Sequence, residues 1–186
     1  NKKILPLLQK ELAEIKNILS SAQNHHQVYE NLHIGRKKLF HPVTLSNKDF
    51  SSKWLSVEYH HKPFDPSAPV LQTTTGHRVR SKSELIIADT LTRLGIPYRY
   101  EFPIRLKNYT AHPDFYCLNL RTRREYAWEH FGMMDDPTYA QNAVSKIHDY
   151  QKSSYFPGKN LIITFETKNT PLSTKQIEHI DREYLA

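Results

Sequence analysis

Cysteine is almost missing from this chain: Cys117 is the single thiol in 186 residues. That excludes an internal disulfide framework, leaves a Zn²⁺ centre short of soft ligands, and points to a reducing compartment. No apolar run approaches the ~20 residues that cross a bilayer, so a membrane role is not expected. A signal peptide is not visible either, and the chain opens on Asn1 rather than Met, as a piece of something larger would. Internal repeats and low-complexity tracts are lacking. Hydrophobic residues make up 38% in an ordered pattern, which argues against disorder throughout. The expectation is a cytoplasmic, soluble protein with one compact domain and an appendage.

Positive charge is in excess. Lys and Arg number 26 against 19 Asp and Glu, a formal charge of +7. Such a balance favours polyanionic partners, although basicity alone is shared by many soluble proteins.

Residues 1–69 read as a helical and basic extension with a linker. Leu5, Leu8, Leu12, Ile15 and Leu19 recur at helical steps over residues 2–30, with Pro6 in the first turn. That stripe suits packing on the main domain or on a second copy, as in a homodimer or a larger assembly. Residues 31–45 are basic and irregular, with Arg36, Lys37, Lys38 and His41. Ser46 suits the N-cap of a short helix over 46–59, and Pro63, Pro66 and Pro69 mark an extended linker.

Residues 70–186 have an α/β rhythm. Segments 70–73 and 77–80 flank Thr75-Gly76 as a hairpin, and a helix over 81–94 ends at Gly95. Strands follow at 98–106, 112–120 and 124–131. Asp136 and Pro137 open a helix with Ala140, Ala143, Val144 and Ile147 as its apolar face. A strand at 161–165 and a helix over 173–184 complete the order. The predicted fold is a central mixed four-stranded sheet flanked by helices, with an N-terminal helical extension.

Two carboxylates carry the functional reading. Asp114 follows His112-Pro113, and Glu129 lies in Ala127-Trp128-Glu129-His130. A turn centred on Arg121 and Thr122 pairs residues whose numbers sum to 243, as 114 and 129 do. The acids then face each other across an antiparallel pair, Cβ atoms ~5 Å apart. Two like charges so placed need a cation between them, and Mg²⁺ prefers carboxylate oxygen. The bland reading of Asp114 is a strand end or a turn; for Glu129 it is a salt bridge.

These motifs and their order resemble the PD-(D/E)XK nuclease superfamily over residues 71–170. The resemblance rests on Ser81-Lys82-Ser83-Glu84, Pro113-Asp114, Trp128-Glu129-His130, and Lys146 and Tyr150 on the next helix. It implies a restriction-endonuclease-like sheet and Mg²⁺-dependent cleavage of nucleic acid, Mn²⁺ being able to substitute. The family usually carries Lys two residues after the second acid, where this chain has Phe131. Lys146, which shares a helical stripe with Asn142 and Tyr150, is the preferred stand-in, and His130 the other.

The residues expected to hold metal are Asp114, Glu129, the His130 backbone carbonyl and Glu84. Glu84 is equally explained as half of a capping box with Ser81. Lys146 would stabilise phosphoryl charge or help deprotonate the attacking water. By default it is a solvated lysine. Asn142, Tyr150, Arg78, Arg80, Lys82, Arg121, Arg123 and Arg124 are the candidate contacts to nucleic acid, the arginines being otherwise solvated loop charges. Glu101 is a further acidic candidate. The expected activity is a metal-dependent nuclease, with DNA ahead of RNA as substrate. The alternative is a nuclease fold without chemistry, serving as a binding or interaction module.

Overall fold

The structure, a computed structural model, describes residues 4–39 and 44–186. The expected helix start at residue 2, and His41, lie outside the described residues. The chain forms two compact units, Asn1–Lys48 and Asp49–Ala186.

The first unit is built on α1 (Ile4–Glu30) and a short α2 (Ile34–Lys37). Leu5, Leu8, Leu12, Ile15 and Leu19 form the predicted stripe and are all more than half exposed. No described side chain of α1 is buried. Periodicity alone forms this helix, and no core closes over it among the described residues.

The second unit follows α3 (Asn47–Leu55) with a hairpin of β1 (Leu71–Gln72) and β2 (Arg78–Val79), turning at Gly76 with φ 83°. Helix α4 (Lys82–Leu94) starts at Ser81, whose side chain accepts from the Glu84 amide, and stops at Gly95 in the left-handed region. Then come β3 (Tyr98–Tyr100), β4 (Ile104–Arg105), β5 (Thr110–Ala111), β6 (Phe115–Leu118) and β7 (Glu125–Phe131). Helix α5 (Pro137–Lys152), β8 (Leu161–Phe165) and α6 (Thr174–Ile180) follow, with a final π-helical turn over Asp181–Leu185.

The sheet runs β3-β6-β7-β8, antiparallel except for the parallel β7–β8 pair, so it is mixed and four-stranded as predicted. The 98–106 strand is instead two pieces. Glu101 turns the chain with φ 50°, and β4 leaves to pair with β5. A carboxylate side chain in that backbone region is uncommon and marks a position held by its surroundings.

Side chains alternate across the sheet into two cores. Phe115, Cys117, Tyr126, Trp128 and Ile162 pack with Ile87 and Leu91 of α4 and Ile177 of α6. Tyr116, Leu118, Ala127 and Leu161 pack on the other face with Tyr150 of α5 and Trp54 of α3. Trp54 also donates to Glu125 Oε1, so α3 belongs with the sheet.

The proline-rich segment is not a free linker. Arg78 Nη2 donates to the carbonyls of Asp65 and Ala68, and Arg80 Nη2 to those of Lys62 and Pro63. Both guanidinium groups lie over the Phe64 ring, at 4.5 and 4.4 Å. The division between the units therefore falls at Lys48 and Asp49 rather than at 69 and 70. Three prolines stiffen residues 60–70, but two arginines on β2 lace them down.

Candidate active site

The register of the β6–β7 hairpin is the one read from the sequence. Phe115 pairs with Trp128, Tyr116 with Ala127 and Cys117 with Tyr126. One step further along the same register, Asp114 stands opposite Glu129, and directly opposed residues share a face. That face is the one covered by α5.

Glu129 is 2% exposed. Tyr150 OH donates to its Oε1 at 2.5 Å and Lys146 Nζ to its Oε2 at 2.7 Å. Both partners come from α5, four residues apart and so on one helical stripe. That stripe also includes the buried Ala143 and differs from the predicted apolar face, because Val144 is 53% exposed. Burial pulls the Lys146 ammonium down, but the charges of Glu129 and Asp114 outweigh it and hold its pKa above the usual value. Lys146 is therefore a cation near neutral pH. Burial and the neighbouring Glu129 raise the Tyr150 hydroxyl, which stays protonated as a donor.

Asp114 has a different setting. Burial first, then the charge of Glu129, push its carboxyl well above the ordinary range, against the pull of Lys146 and a hydrogen bond from the His130 amide. That amide donates to Asp114 Oδ2 at 2.7 Å. Among the described residues no side chain donates to Asp114.

The same register explains a third oxygen. In β7 the amides and carbonyls of Tyr126, Trp128 and His130 face β6, because Ala127 N and Phe131 O are bonded on the β8 side. His130 stands opposite Pro113, which has no N–H to give. Among the described residues the ladder therefore leaves the His130 carbonyl beside Asp114 without a partner. The proline of the Pro-Asp pair thus frees an acceptor, a consequence that sequence reading alone did not draw.

Glu84 lies half-buried at the start of α4. Its Oε1 accepts from Ser81 Oγ, while Oε2 accepts from Tyr100 OH at 2.7 Å and from the Arg80 amide at 2.9 Å. The capping role is thus real, with the reach-back going to Arg80 rather than to Ser81. Its charge also contributes to raising the Asp114 carboxyl, so it borders the acids. Glu101 is 4% exposed and clamped by Arg80, with Nε to Oε1 at 2.7 Å and Nη2 to Oε2 at 3.0 Å.

The other expected residues divide. Asn142 is exposed on α5. Arg78 and Arg80 are consumed by internal bonds, as described above, and make poor phosphate contacts. Lys82 is exposed. Arg123 lies over the Phe50 ring at 4.2 Å, and Arg121 Nε donates to the Ala186 carbonyl. Arg124 is exposed. The tip bearing these arginines is seven residues along β6 from Asp114, ~23 Å at strand rise, so it cannot reach the same phosphate. The His130 side chain points to the opposite face, with Nδ1 2.9 Å from Thr164 Oγ1 and Nε2 3.4 Å from Glu166 Oε1. It therefore does not replace the missing lysine.

The Lys62 charge near His112 was missed. Burial, then the Lys62 charge, lower the His112 imidazole against the opposing pull of Glu101, with smaller lowering effects from His61 and Lys146. The charges of Lys62, Glu101, His61 and Lys146 thus all reach His112. Residues 61 and 62 belong to the laced-down segment, and nothing local in the sequence marks them as near the acids.

The donor set suits a hard divalent cation. It comprises two carboxylates on one face and one backbone carbonyl, and Mg²⁺ would complete its shell with water. Among the described residues no three His, Cys, Asp or Glu side chains converge on one point, so the carbonyl and water are essential to that fit.

No family model matches the chain, and no solved structure matches it. The chain is 30% identical over 106 residues to the uncharacterized protein MJ1519 of Methanocaldococcus jannaschii, a match covering 50% of this chain and 9% of that protein. Among the described residues no helix is long and apolar enough to cross a membrane.

Proposed function

We propose that the protein is a metal-dependent nuclease of the PD-(D/E)XK kind, hydrolysing phosphodiester bonds of nucleic acid, DNA ahead of RNA. One observation carries this reading. Asp114 and Glu129 oppose each other on the α5 face, and α5 delivers Lys146 to within 2.7 Å of Glu129. A lysine absent from its usual place two residues after the second acid is thus supplied from the neighbouring helix.

Asp114, Glu129 and the His130 carbonyl are the groups that would hold Mg²⁺ or Mn²⁺. When bound, such an ion supplies Lewis acidity at the phosphoryl group and acidifies water. The His130 amide fixes the rotamer of Asp114. Tyr150 and Lys146 fix that of Glu129. Lys146, kept protonated by the two acids, offsets charge on the phosphoryl oxygens rather than acting as a base in the metal-free protein. Lys62, whose charge reaches His112, offers positive charge for the flanking backbone.

Cleavage of single- and double-stranded DNA and RNA, with Mg²⁺ or Mn²⁺, tests the proposal. Activity that survives both Asp114→Ala and Glu129→Ala would end it. A second reading has its own support. Both oxygens of Glu129 already hold donors, as in a site closed to metal. In that case nucleic acid binds with strong salt dependence, and Mn²⁺ calorimetry on the intact chain shows no site.

A further inference from the structure

Strand β8 ends the four-stranded sheet, and its outer edge is partly open. Its even-numbered residues turn their amides and carbonyls to β7, since Ala127 N bonds the Asn160 carbonyl and Glu166 N bonds that of Phe131. Leu161, Ile163 and Phe165 therefore point theirs outward. Leu161 is satisfied by its own loop, through Leu161 N to the Phe156 carbonyl and Gly158 N to the Leu161 carbonyl. Beyond the strand, Thr167 exchanges both bonds with Thr170. Among the described residues, Ile163 and Phe165 find no partner for their outward groups between these closures. Phe165 is 48% exposed. An apolar trench of about 550 Å³ follows this edge, lined by Ile147, Leu161, Ile163, Phe165 and Ile180.

We propose that this edge pairs with the β8 edge of a second copy, antiparallel, with Thr164 on the two-fold axis, joining two sheets into one of eight strands. With a second copy as occupant, hydrogen-bond arithmetic selects the register. With Thr164 on the axis, Ile163 faces the partner's Phe165 and Phe165 the partner's Ile163. Each pair exchanges two bonds, and every open group on both edges is used. Centring on Ile163 sets Phe165 against the partner's Leu161, which is already bonded. Centring on Phe165 sets Ile163 against the partner's Thr167, also bonded.

Charge agrees with this arrangement. Lys175 lies beside residues 163–165, and Glu183 borders the trench that reaches Leu161, so α6 and the turn after it run antiparallel to β8. The axis then brings Lys175 of one copy toward the partner's Glu183. Both residues are exposed. An unpaired, apolar edge is otherwise an aggregation hazard, and reciprocal pairing removes it.

Sedimentation of the full chain from micromolar to millimolar concentration tests this. The expected result is a reversible species of twice 21.9 kDa. Phe165→Asp should weaken it by ~30-fold or more. Lys175→Glu and Glu183→Lys should each weaken it several-fold, and the double swap should restore it, a readout that does not rely on Phe165→Asp folding. Leu12→Asp on α1 should leave it intact. A monomer at every concentration overturns the proposal. So does a dimer lost with Leu12→Asp, or one that the single charge swaps leave unchanged or the double swap fails to restore.

Discussion

Two corners of the sheet bury a glutamate against a cation, and they do it differently. At the β2–β3 corner, one arginine takes both oxygens of Glu101 in a fork. Arg80 is itself fixed by Phe64 and by the Lys62 and Pro63 carbonyls. At the β7–α5 corner, two side chains each take one oxygen of Glu129. Close to Glu129 stands Asp114, whose carboxyl is pushed up by burial and by that second acid. An arginine fork is planar, permanently charged and rigid, whereas a lysine is a point charge on a flexible stem. The first corner is built to stay shut. The second keeps a like-charge conflict that raises one carboxyl, the kind of perturbed group that gathers at functional sites.

Asp114→Asn breaks this comparison most sharply. It removes the conflict at the second corner together with a proposed metal ligand. Cleavage should fall by ~10³-fold or more, on the order of 4 kcal/mol of lost transition-state stabilisation. The metal-free melt should not fall, because the lost charge is one that burial and Glu129 already oppose. A rate assay beside a thermal melt reads both. A drop in stability without loss of cleavage would make Asp114 a structural residue.

Arg80→Met is the matching change at the first corner. It leaves the buried Glu101 without its fork, and folding stability should fall by ~3 kcal/mol in denaturant titration. Cleavage by the folded fraction should stay within several-fold of the parent. Should stability hold and cleavage vanish, Glu101 would belong with the catalytic acids.

Lys146→Met sharpens the contrast within the second corner. Phosphoryl charge loses its cation, and cleavage should drop ~10²-fold. Mn²⁺ binding by calorimetry should tighten rather than weaken, since Glu129 Oε2 is released. Tightening would mark Lys146 as displaceable, which an arginine fork is not.

The hairpin register was legible from the sequence because one turn and one parity rule determine it. A basic turn at residues 121–122 and two apolar runs leave a single pairing with both acids on one face. The placing of Lys146 was legible for a similar reason, as i, i+4 spacing with Tyr150 survives any packing of α5. Other features depended on tertiary contacts that no local pattern carries. Arg78 and Arg80 read as free basic residues until Phe64 and the 62–68 carbonyls are seen to consume them. The strand over 98–106 breaks at Glu101 because Arg80 holds that carboxylate from a distant strand. The unpaired His130 carbonyl was implicit in the same register, which sets Pro113 opposite residue 130, but it needed the bonds to β8 to show which β7 carbonyls face β6.

The smallest expected effect is on stability against pH, and its sign separates the two corners. The folded Asp114 carboxyl has a raised pKa, so between the ordinary aspartate range and that raised value the folded protein keeps a proton that the unfolded chain releases. Stability then declines as pH rises through this window, by at most ~1.4 kcal/mol per pH unit for one group. Below the window both states are protonated, and the penalty is absent. A divalent cation reverses the trend, because it binds the ionised pair and displaces the proton. Melts of the metal-free protein should therefore fall with pH, and the gain in melting temperature from Mn²⁺ should be larger at pH 8 than at pH 5. Asp114→Asn should flatten both curves, while Arg80→Met should leave their slopes in place. If Arg80→Met removed the slope instead, the buried conflict would lie at Glu101, and the division between a shut corner and an open one would fail.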